Sequence, residues 1–538
     1  MQLKNYPFNK LPFTKLFRTY VSEYAQLSDF YSANPFDMDA LQQHAERITA
    51  PQDRAETAEL LKQFNERFNL HANALKNIDR LREDRSLALV TGQQVGIFGG
   101  PLFTILKTVT TIHLADTLEQ TLDRPVIPVF WLADEDHDYD EVKHVRLLNH
   151  DDLKTHALEY NRNSYPPVAE LTLDDSFYLF KNEIENDLFE TDFTADLWAL
   201  LNSCYTNGTR LDTAFGQLIA ELFSKHGLIL AGSNCNSIKQ RARHCMKYAI
   251  EEADQIREAL EQQSSELETN YHRQATVYDS NLFYLDEEAG RTKILRNGQS
   301  WKTDSGREWS TAQLLDLIDE DPEKFSPNVF LRPILQDLMV PTLGYVAGPG
   351  ELAYYGQMKK MYELFERSMP AIFPRMSATI IEPAISRILD ELPFEVGEYE
   401  QRIEDLESAY VDQTERHDIE AIFGDWKEKV KQIAEGHTSE IREIDPTLEG
   451  AAGKATAVYF GELDKLKGKV YRSVKQQEET QLKRIRRIKA NLYPEGALQE
   501  RTVSFIYFMN KYGMDIWDQL LDTLEEKERL DQHKLIYL

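Results

Sequence analysis

The sequence predicts an α/β protein with a parallel-sheet core that is interrupted twice and is followed by a long antiparallel helical hairpin. Three observations carry this prediction. A strand–helix–strand pattern runs through 86–132. Two later stretches, about 150–205 and 265–328, differ in pattern from the core around them. From 385 onward, apolar residues recur every three or four positions, which is typical of helices that pack together.

The core is expected over residues 1–384. Its first 85 residues contain amphipathic stretches rich in Gln and Glu, which predicts N-terminal helices. An apolar run at 86–91, a periodic segment at 102–122 and an apolar run at 126–132 form a βαβ unit with parallel strands. Further core strands are expected at 227–231, 343–347 and 371–374.

The two interruptions are expected to be insertions into this core. In the second, Ala-Gly and Asn-Gly turns separate strand-like runs over 281–310, which predicts a small antiparallel sheet.

The segment 385–492 is expected to form an antiparallel coiled-coil arm that turns at Asp445-Pro446. Helices of roughly 45 residues would make it about 65–70 Å long. Because such a hairpin has little core of its own, we expect a homodimer through the arm. An arm folded back onto its own core is the alternative. Residues 493–538 are expected to form a helical segment that packs on the core.

Charge and cysteine content exclude several classes of function. The 61 Lys and Arg against 90 Asp and Glu give a net charge of -29, which repels phosphate backbones and anionic bilayers. We therefore expect no nucleic-acid partner and no membrane partner. Three cysteines without a CxxC pair indicate a reducing compartment and no cysteine-rich metal site. With no 18-residue apolar run, the expected location is the cytoplasm.

A glycine-rich segment follows the first core strand. In an open parallel sheet this turn usually contacts the ligand, and a Pro at the first helical position leaves backbone N–H groups free for an anion. A tight turn without a ligand is the alternative, but it does not require four glycines and a Gln pair. The expected substrate contacts are Thr91, Gln93, Gln94, Gly99, Gly100, Pro101 and Thr104.

An acidic segment, 134–141, follows the second core strand. Its carboxylates could hold an ammonium group, bind Mg²⁺ or act as a general base. An acidic helix N-terminus explains the later carboxylates equally well. Asp136 and His137 are therefore the expected catalytic residues, and Asp134 is an expected substrate contact. No dedicated metal site is predicted.

A third turn, Gly348-Pro-Gly-Glu351, opens another predicted helix. Gly350, Glu351 and Tyr354 are expected substrate contacts there. Upstream, Arg332 and Asp337 could be either functional or a buried salt bridge. The thiols lack a neighbouring His–Asp pattern, so no cysteine nucleophile is expected.

Five segments together resemble one family, the bacillithiol-biosynthesis cysteine-adding enzymes. They are TGQQVGIFGGPLFTILK, PVFWLADEDHDYDEVKH, LRPILQD with YVAGPGELAYY, PRMSATIIEP and YPEGALQERTVSFIYFMNKYG. The resemblance covers nearly the whole chain. It implies a Rossmann-like core with two connecting-peptide insertions and a coiled-coil domain that mediates dimerisation. It also implies a ligase that joins the carboxylate of L-cysteine to the glucosamine amine of glucosaminyl-malate by an amide bond.

The resemblance further implies nucleotide sites. The core layout is similar to that of class I aminoacyl-tRNA synthetases, but the first turn lacks their histidines. Their second signature is echoed only by Arg375-Met-Ser377, so Arg375 and Ser377 are expected contacts of ATP. A second pocket for ADP is implied near the base of the coiled coil, lined by Arg387, Lys489 and Tyr493.

The chemistry itself calls for activation, because a carboxylate does not acylate an amine at neutral pH until its oxygen becomes a good leaving group. ATP is the expected activator, and Mg²⁺ can accompany it. Two other functions stay open. A nucleotide-dependent transferase on the same core would not need cysteine, and a non-catalytic coiled-coil dimer would bind a metabolite without turnover.

Overall fold

A computed structural model describes residues 1–51, 53–149, 152–159, 167–414, 418–525 and 528–538, without the side chains at 414, 475 and 477. Part of the first expected insertion therefore lies outside the described residues. The strands are β1 Gln2–Tyr6, β2 Leu87–Gln94, β3 Val126–Ala133, β4 His144–Asn149, β5 Asp152–Ala157, β6 Ile229–Gly232, β7 Leu282–Asp286, β8 Gly290–Asn297, β9 Ser300–Thr303, β10 Glu308–Ser310, β11 Phe325–Pro327, β12 Thr342–Ala347, β13 Ala371–Pro374, β14 Ala378–Ile381 and β15 His533–Tyr537.

The α-helices precede, connect and follow these strands. Up to the third turn of the core they are α1 Lys15–Ser22, α2 Met38–Ala45, α3 Arg54–Asn65, α4 Ala72–Arg80, α5 Leu102–Leu122, α6 Tyr139–Val142, α7 Asp175–Asp187, α8 Thr194–Cys204, α9 Leu211–Phe223, α10 Asn236–Glu251, α11 Ala253–Glu268, α12 Thr311–Glu320 and α13 Leu331–Met339. The later ones are α14 Pro349–Tyr355, α15 Lys359–Leu364, α16 Pro383–Glu391, α17 Ile403–Thr414, α18 Ile419–Ile444, α19 Glu449–Gln477, α20 Glu479–Leu492, α21 Gln499–Thr502, α22 Ile506–Tyr512 and α23 Ile516–Thr523.

The chain divides into two compact units. The first comprises Met1–Leu148, Leu153–Ile380 and Leu498–Leu538, and the second comprises Asn149–Asp152 and Ile381–Ala497.

A five-stranded parallel sheet in the order β13-β12-β2-β3-β6 is the centre of the first unit. The predicted βαβ unit is confirmed, because β2 and β3 pair in parallel with Leu87 opposite Val126 and Gln94 opposite Ala133. Strand β2 is longer than predicted and includes Gln93 and Gln94. The strands predicted at 227–231, 343–347 and 371–374 are present as β6, β12 and β13.

One apolar cluster fixes helix α5 against this sheet. Leu118 and Ala115 of α5 pack with strand residues such as Leu89, Val346 and Phe373, all of them buried. Removal of this apolar surface from water is the main stabilising contribution here. The carboxyl ends of the strands are thereby held at one common edge.

The antiparallel sheet predicted around 281–310 is also present, in the order β10-β9-β8-β7-β11. Strands β7, β8 and β9 pair in succession. The turns between them are closed by Gly290 and Gly298, which have φ of 72° and 62°, a backbone conformation that glycine adopts without strain.

The two ends of the sequence depart from the prediction. Residues 2–6, expected to be helical, form β1, which pairs antiparallel with β15 so that Gln2 lies opposite Tyr537. The segment 493–538, expected to be helical throughout, therefore ends in a strand. Strand β1 depends on a partner more than 500 residues away, and no local pattern encodes that pairing.

The second unit contains the predicted antiparallel hairpin of α18 and α19. Its helices have 26 and 29 residues and are shorter than the predicted arms of roughly 45, because α19 gives way to α20 at Glu478. At 1.5 Å per residue the longer one spans about 44 Å. Ile419, Phe423 and Leu463 are buried at its base. The α/β class and the coiled-coil domain are both confirmed.

None of the helices in the described part of the chain combines the length and apolar character needed to cross a bilayer.

Candidate functional site

A cavity of about 480 Å³ lies at the carboxyl edge of the parallel sheet, within the first unit. The strand ends and the turns that follow them contribute its lining, through Gln94 at the end of β2, Ala133 at the end of β3, Ser233 after β6, Gly348 after β12 and Arg375 after β13. From β2 the chain order runs outward in one direction to β3 and β6 and in the other to β12 and β13. Open α/β sheets bind ligands at such a reversal point.

The ammonium group of Lys107 joins two walls of this cavity. Its Nζ donates to the carbonyl oxygen of Gly92 at 2.8 Å and to Oε1 of Gln93 at 3.2 Å, and it pairs with Oε2 of Glu351 at 2.5 Å. Burial lowers the pKa of Lys107, and the adjacent carboxylate of Glu351 opposes that change. The predicted contacts Gln93 and Glu351 are thus held in place by a cation that sequence reasoning had not placed in the site.

Glu351 is held from two further sides. Its Oε2 accepts a hydrogen bond from the backbone N–H of Gly348 at 2.7 Å, which closes a capping box on α14, and its Oε1 accepts one from the Tyr345 hydroxyl at 2.8 Å. The predicted residues Gly350 and Tyr354 also line the cavity. The third predicted turn therefore belongs to this site.

The acidic segment forms the opposite wall through Asp134, Glu135 and Asp136. Oδ1 of Asp134 accepts the backbone N–H groups of Ser233 and Asn234, both at 3.1 Å. Burial raises the pKa of Asp134 to about 7, and the neighbouring carboxylate of Glu135 acts in the same direction. The Asp134 carboxyl therefore titrates near neutral pH.

Asp136 reaches the cavity with both of its oxygens engaged. Oδ2 accepts a hydrogen bond from Nε2 of Gln94 at 2.5 Å, and Oδ1 lies 3.6 Å from Nη1 of Arg291 on β8. Glu135 pairs instead with Lys239 at 2.8 Å, both side chains being buried. Arg291 and Lys239 come from segments distant in sequence, and neither carries a local signal of function.

His137, an expected catalytic residue, does not line the cavity. Its Nδ1 lies 3.2 Å from the carbonyl oxygen of Glu135, and its backbone N–H donates to Oδ1 of Asp136 at 2.7 Å. The Asp136 side chain thus stabilises this turn by accepting the backbone N–H of the next residue, and the imidazole of His137 lies outside the cavity. Of the two expected catalytic residues, the structure places only Asp136 in the site.

The start of α5 also differs from the prediction. Pro101 precedes the helix and forms a bridge with Ser504, and the first helical N–H group, that of Leu102, donates to the carbonyl oxygen of Val503 at 2.8 Å. The C-terminal segment thus covers the expected anion position. The predicted residues that consequently lie off the cavity are Thr91, Gly99, Gly100, Pro101 and Thr104.

These residues have structural roles instead. The Thr91 hydroxyl donates to the carbonyl oxygen of Val346 at 2.9 Å between neighbouring strands. Gly99 has φ of 81°, and a Cβ there would lie 2.3 Å from the Phe505 ring. The glycines of this turn therefore allow close packing of the C-terminal segment.

Arg375 and Ser377, the expected nucleotide contacts, bind a residue that the sequence did not reveal. The guanidinium of Arg375 and the hydroxyl of Ser377 both donate to the buried carboxylate of Glu500. Burial alone would raise the pKa of Glu500, but the paired Arg375 holds it below its usual value. Arg375 still lines the cavity, whereas Ser377 does not.

The comparison with known proteins agrees with this architecture. Residues 1–376 match the family description "Bacillithiol biosynthesis BshC, N-terminal Rossmann-like domain", and residues 378–538 match "Bacillithiol biosynthesis BshC, C-terminal coiled-coil domain". The chain belongs to the BshC family.

Relatives in this family are similar along nearly their whole length. One from Salinibacter ruber is 33% identical over 95% of this chain and 94% of its own. One from Chlorobaculum tepidum is 32% identical over 96% and 95%, and one from Koribacter versatilis is 34% identical over 96% and 97%. Each of the three is named "Putative cysteine ligase BshC". The predicted family and the predicted enzyme class, a ligase of bacillithiol biosynthesis, are confirmed.

The remaining expected nucleotide contacts of this BshC-family chain all belong to the second unit. Nζ of Lys489 donates to the carbonyl oxygens of Tyr399 at 2.9 Å and Gln401 at 2.7 Å. Tyr493 is buried, and Arg387 is exposed. Lys489 thus stabilises the end of a short 3₁₀ helix, Val396–Glu400, whose carbonyl groups attract a cation.

Two of the three cysteines of this BshC-family chain, Cys204 and Cys245, are buried. Burial raises the pKa of Cys204 to about 11 and that of Cys245 to about 12. Both therefore stay protonated near neutral pH, and the thiolate is the nucleophilic form.

Proposed function

We propose that this chain joins the carboxyl group of L-cysteine to the glucosamine amine of glucosaminyl-malate, forming an amide bond, with nucleotide activation of the carboxyl group. The names of the relatives support the cysteine substrate and the ligase class. One observation of the structure carries the proposal furthest. The cavity at the carboxyl edge of the sheet is lined by carboxylates and by cations, and the two substrates together carry amines and carboxylates.

Asp136 is the side chain proposed to accept the proton of the attacking amine. It lines the cavity, and Gln94 and the backbone N–H of His137 orient its two oxygens. A general base must lie within hydrogen-bond reach of the proton that it removes. His137 supports this carboxylate through its backbone and not through its imidazole.

The nucleotide, when bound, supplies a leaving group on the cysteine carboxyl carbon. The residues of the chain then hold the amine against that carbon and keep water out of the cavity. Among the residues that the structure describes, no group of three or more His, Cys, Asp or Glu is arranged to hold a metal ion.

The test is mass spectrometry of the purified protein with glucosaminyl-malate, cysteine, ATP and Mg²⁺, with each component omitted in turn. Product at the mass of the amide, formed only with cysteine and ATP present, is the expected result. Asp136→Asn should reduce the rate at least about a hundredfold, as loss of a general base does. ATP consumption that does not depend on cysteine would favour a transferase, and binding without turnover would favour a metabolite-binding dimer.

We further propose that the hairpin of α18 and α19 mediates a homodimer. Large apolar side chains on it are exposed, among them Trp426, Ile433 and Leu466. A row of exposed apolar residues on a helix pair is a usual sign of an interaction surface. We also propose a binding site for ADP in the second unit, with Arg387, Lys489 and Tyr493 as its contacts.

A further inference from the structure

Among the cations that line the cavity, Arg332 differs from Lys107, Arg291 and Arg375. Lys107 pairs with Glu351, Arg291 lies near Asp136, and Arg375 pairs with Glu500. Arg332 lines the same cavity but forms no ion pair with any residue in the described part of the chain. The guanidinium of Arg332 is therefore open to a negatively charged group of a bound ligand.

The surroundings of Arg332 make this charge costly. The guanidinium Nη2 is buried and makes no hydrogen bond, while Nη1 donates to the neutral Oε1 of Gln336 at 3.0 Å. The guanidinium carbon lies 5.5 Å from the centre of the Tyr345 ring, and the Tyr354 phenol is adjacent. The carboxylate of Glu351 favours the charge of Arg332 but pairs directly with Lys107. A buried guanidinium without a direct ion pair at a cavity wall therefore indicates a ligand that carries a negative charge.

Rigid backbone holds Arg332 at this wall. Its N–H group donates to the carbonyl oxygen of Asn328 at 3.0 Å, and the Asn328 side chain accepts from the N–H groups of Phe330 and Leu331, both at 3.0 Å. Asn328 and Val329 line the cavity beside it. The sequence left open a salt bridge between Arg332 and Asp337, and the structure contains no such pair.

We propose that Arg332 binds a carboxylate group of a substrate in this cavity. A guanidinium matches the planar, two-oxygen geometry of a carboxylate. A phosphate group of the nucleotide is the alternative ligand of Arg332, and the titration with ATP alone distinguishes the two. The assignment rests on the proposed function, in which both the malyl group and cysteine carry carboxylates.

Calorimetric titration of the full-length protein with glucosaminyl-malate, cysteine and ATP, each alone, tests the assignment. Arg332→Gln should weaken binding of a carboxylate substrate roughly tenfold to a hundredfold, the range for a hydrogen-bonded charge. Arg332→Lys should recover part of that loss, because it restores the charge without the planar fork. Arg529→Gln, which removes an exposed arginine paired with Asp531, is the matched control and should leave every affinity unchanged.

The outcomes separate the two substrates. A loss confined to glucosaminyl-malate assigns the malyl carboxylate to Arg332, and a loss confined to cysteine assigns the amino-acid carboxylate. Unchanged affinities in Arg332→Gln, or a loss confined to ATP, overturn the assignment while the proposed ligase function stands. Wild-type protein that binds neither carboxylate substrate overturns both.

A measurement on the wild-type protein covers the case in which Arg332→Gln does not fold. The dicarboxamide of glucosaminyl-malate and the carboxamide of cysteine keep the shape of the substrates but lack the charge. At least one of them should bind about tenfold or more weakly than its parent acid. Equal affinity of both pairs would overturn the assignment without any variant.

Discussion

Arg375 and Glu500 face each other as a buried pair, with Nη1 donating to Oε2 at 3.0 Å and Nη2 donating to Oε1 at 2.7 Å. Glu500 also accepts the backbone N–H of Ala378 at 2.7 Å and the Ser377 hydroxyl. Because Arg375 lines the cavity, one ion pair connects the cavity wall with the C-terminal segment.

Replacing Glu500 by Gln should lower the free energy of unfolding by about 3–5 kcal/mol, because Arg375 would keep a buried charge without a carboxylate. Urea unfolding followed by circular dichroism measures the change. Glu185→Gln is the control, since Glu185 is an exposed residue of α7, and it should stay within about 0.5 kcal/mol. An equal effect of the two substitutions would contradict the role of the pair.

His533 should make the protein sensitive to mild acid. Its ring bonds Ser377 at 2.8 Å and Thr379 at 2.9 Å, and burial lowers its pKa to about 4. Between the unfolded pKa of about 6.5 and the folded value, only the unfolded chain binds the proton, so stability falls as pH falls. The loss from pH 7 to pH 5 is about 2 kcal/mol.

His533→Gln should remove that part of the pH dependence. The quantity to compare is the difference in unfolding free energy between pH 7 and pH 5 for the two proteins. Subtracting one difference from the other cancels the contribution of every other group whose pKa folding lowers. One such group is His44, whose pKa burial also lowers to about 4. Identical slopes would show that His533 is not held neutral.

Asp134→Asn should stabilise the protein in mild alkali while impairing catalysis. The pKa of Asp134 is higher in the folded than in the unfolded chain. Its contribution to the free energy of unfolding is therefore lost as pH rises from about 4 to 7. The amide keeps an oxygen for the N–H groups of Ser233 and Asn234 and carries no charge. We expect a gain of about 4 kcal/mol at pH 8 relative to pH 4, measured by urea unfolding. A loss at pH 8 would contradict the raised pKa.

Gly99→Ala should destabilise more than a glycine substitution with the same backbone conformation elsewhere. Gly99 and Gly208 both have φ of 81°, but a Cβ at Gly99 meets the Phe505 ring and one at Gly208 meets nothing within 4 Å. The difference between the two variants isolates the packing clash from the backbone strain. Overpacking of this kind costs about 1–3 kcal/mol, which thermal unfolding resolves.

The proposed dimer predicts that charge on the exposed face of the hairpin produces monomers. Trp426→Glu combined with Leu466→Glu should shift sedimentation velocity from a dimer to a single chain, because both side chains are large, apolar and exposed. Lys431→Glu, at an exposed polar position of the same helix, should leave the dimer intact. A wild-type protein that sediments as a monomer would refute the proposal.

The sequence predicted the elements whose signal is local. The apolar runs at β2, β3 and β12 and the periodicity of α18 and α19 depend on residues close in the chain, and these elements are present. The pairing of β1 with β15 could not be found in this way, since five residues at each end carry no pattern that identifies a distant partner.

The site was predicted in part for the same reason. Strand ends meet at one edge of a parallel sheet, and the residues found there lie at a strand end or within four residues after one: Gln93, Gln94, Asp134, Asp136 and Glu351. The roles of Arg291, Glu500 and His533 depend on contacts between segments that are distant in the sequence. The sequence nevertheless contained a sign of the Arg375–Glu500 pair. PRMSATIIEP and the closing segment each place a charged residue among apolar ones, and a charge that is buried with them must be paired.

The antiparallel pairing of β1 with β15 has a consequence for synthesis on the ribosome. Residues 2–6 leave the ribosome more than 500 residues before the strand that they pair with, 533–537. Val503, which covers the start of α5, and Glu500, which pairs with Arg375, also follow their partners by long intervals. A nascent chain therefore cannot complete the wall around the cavity. The binding site should therefore mature only after translation has passed residues 500–503.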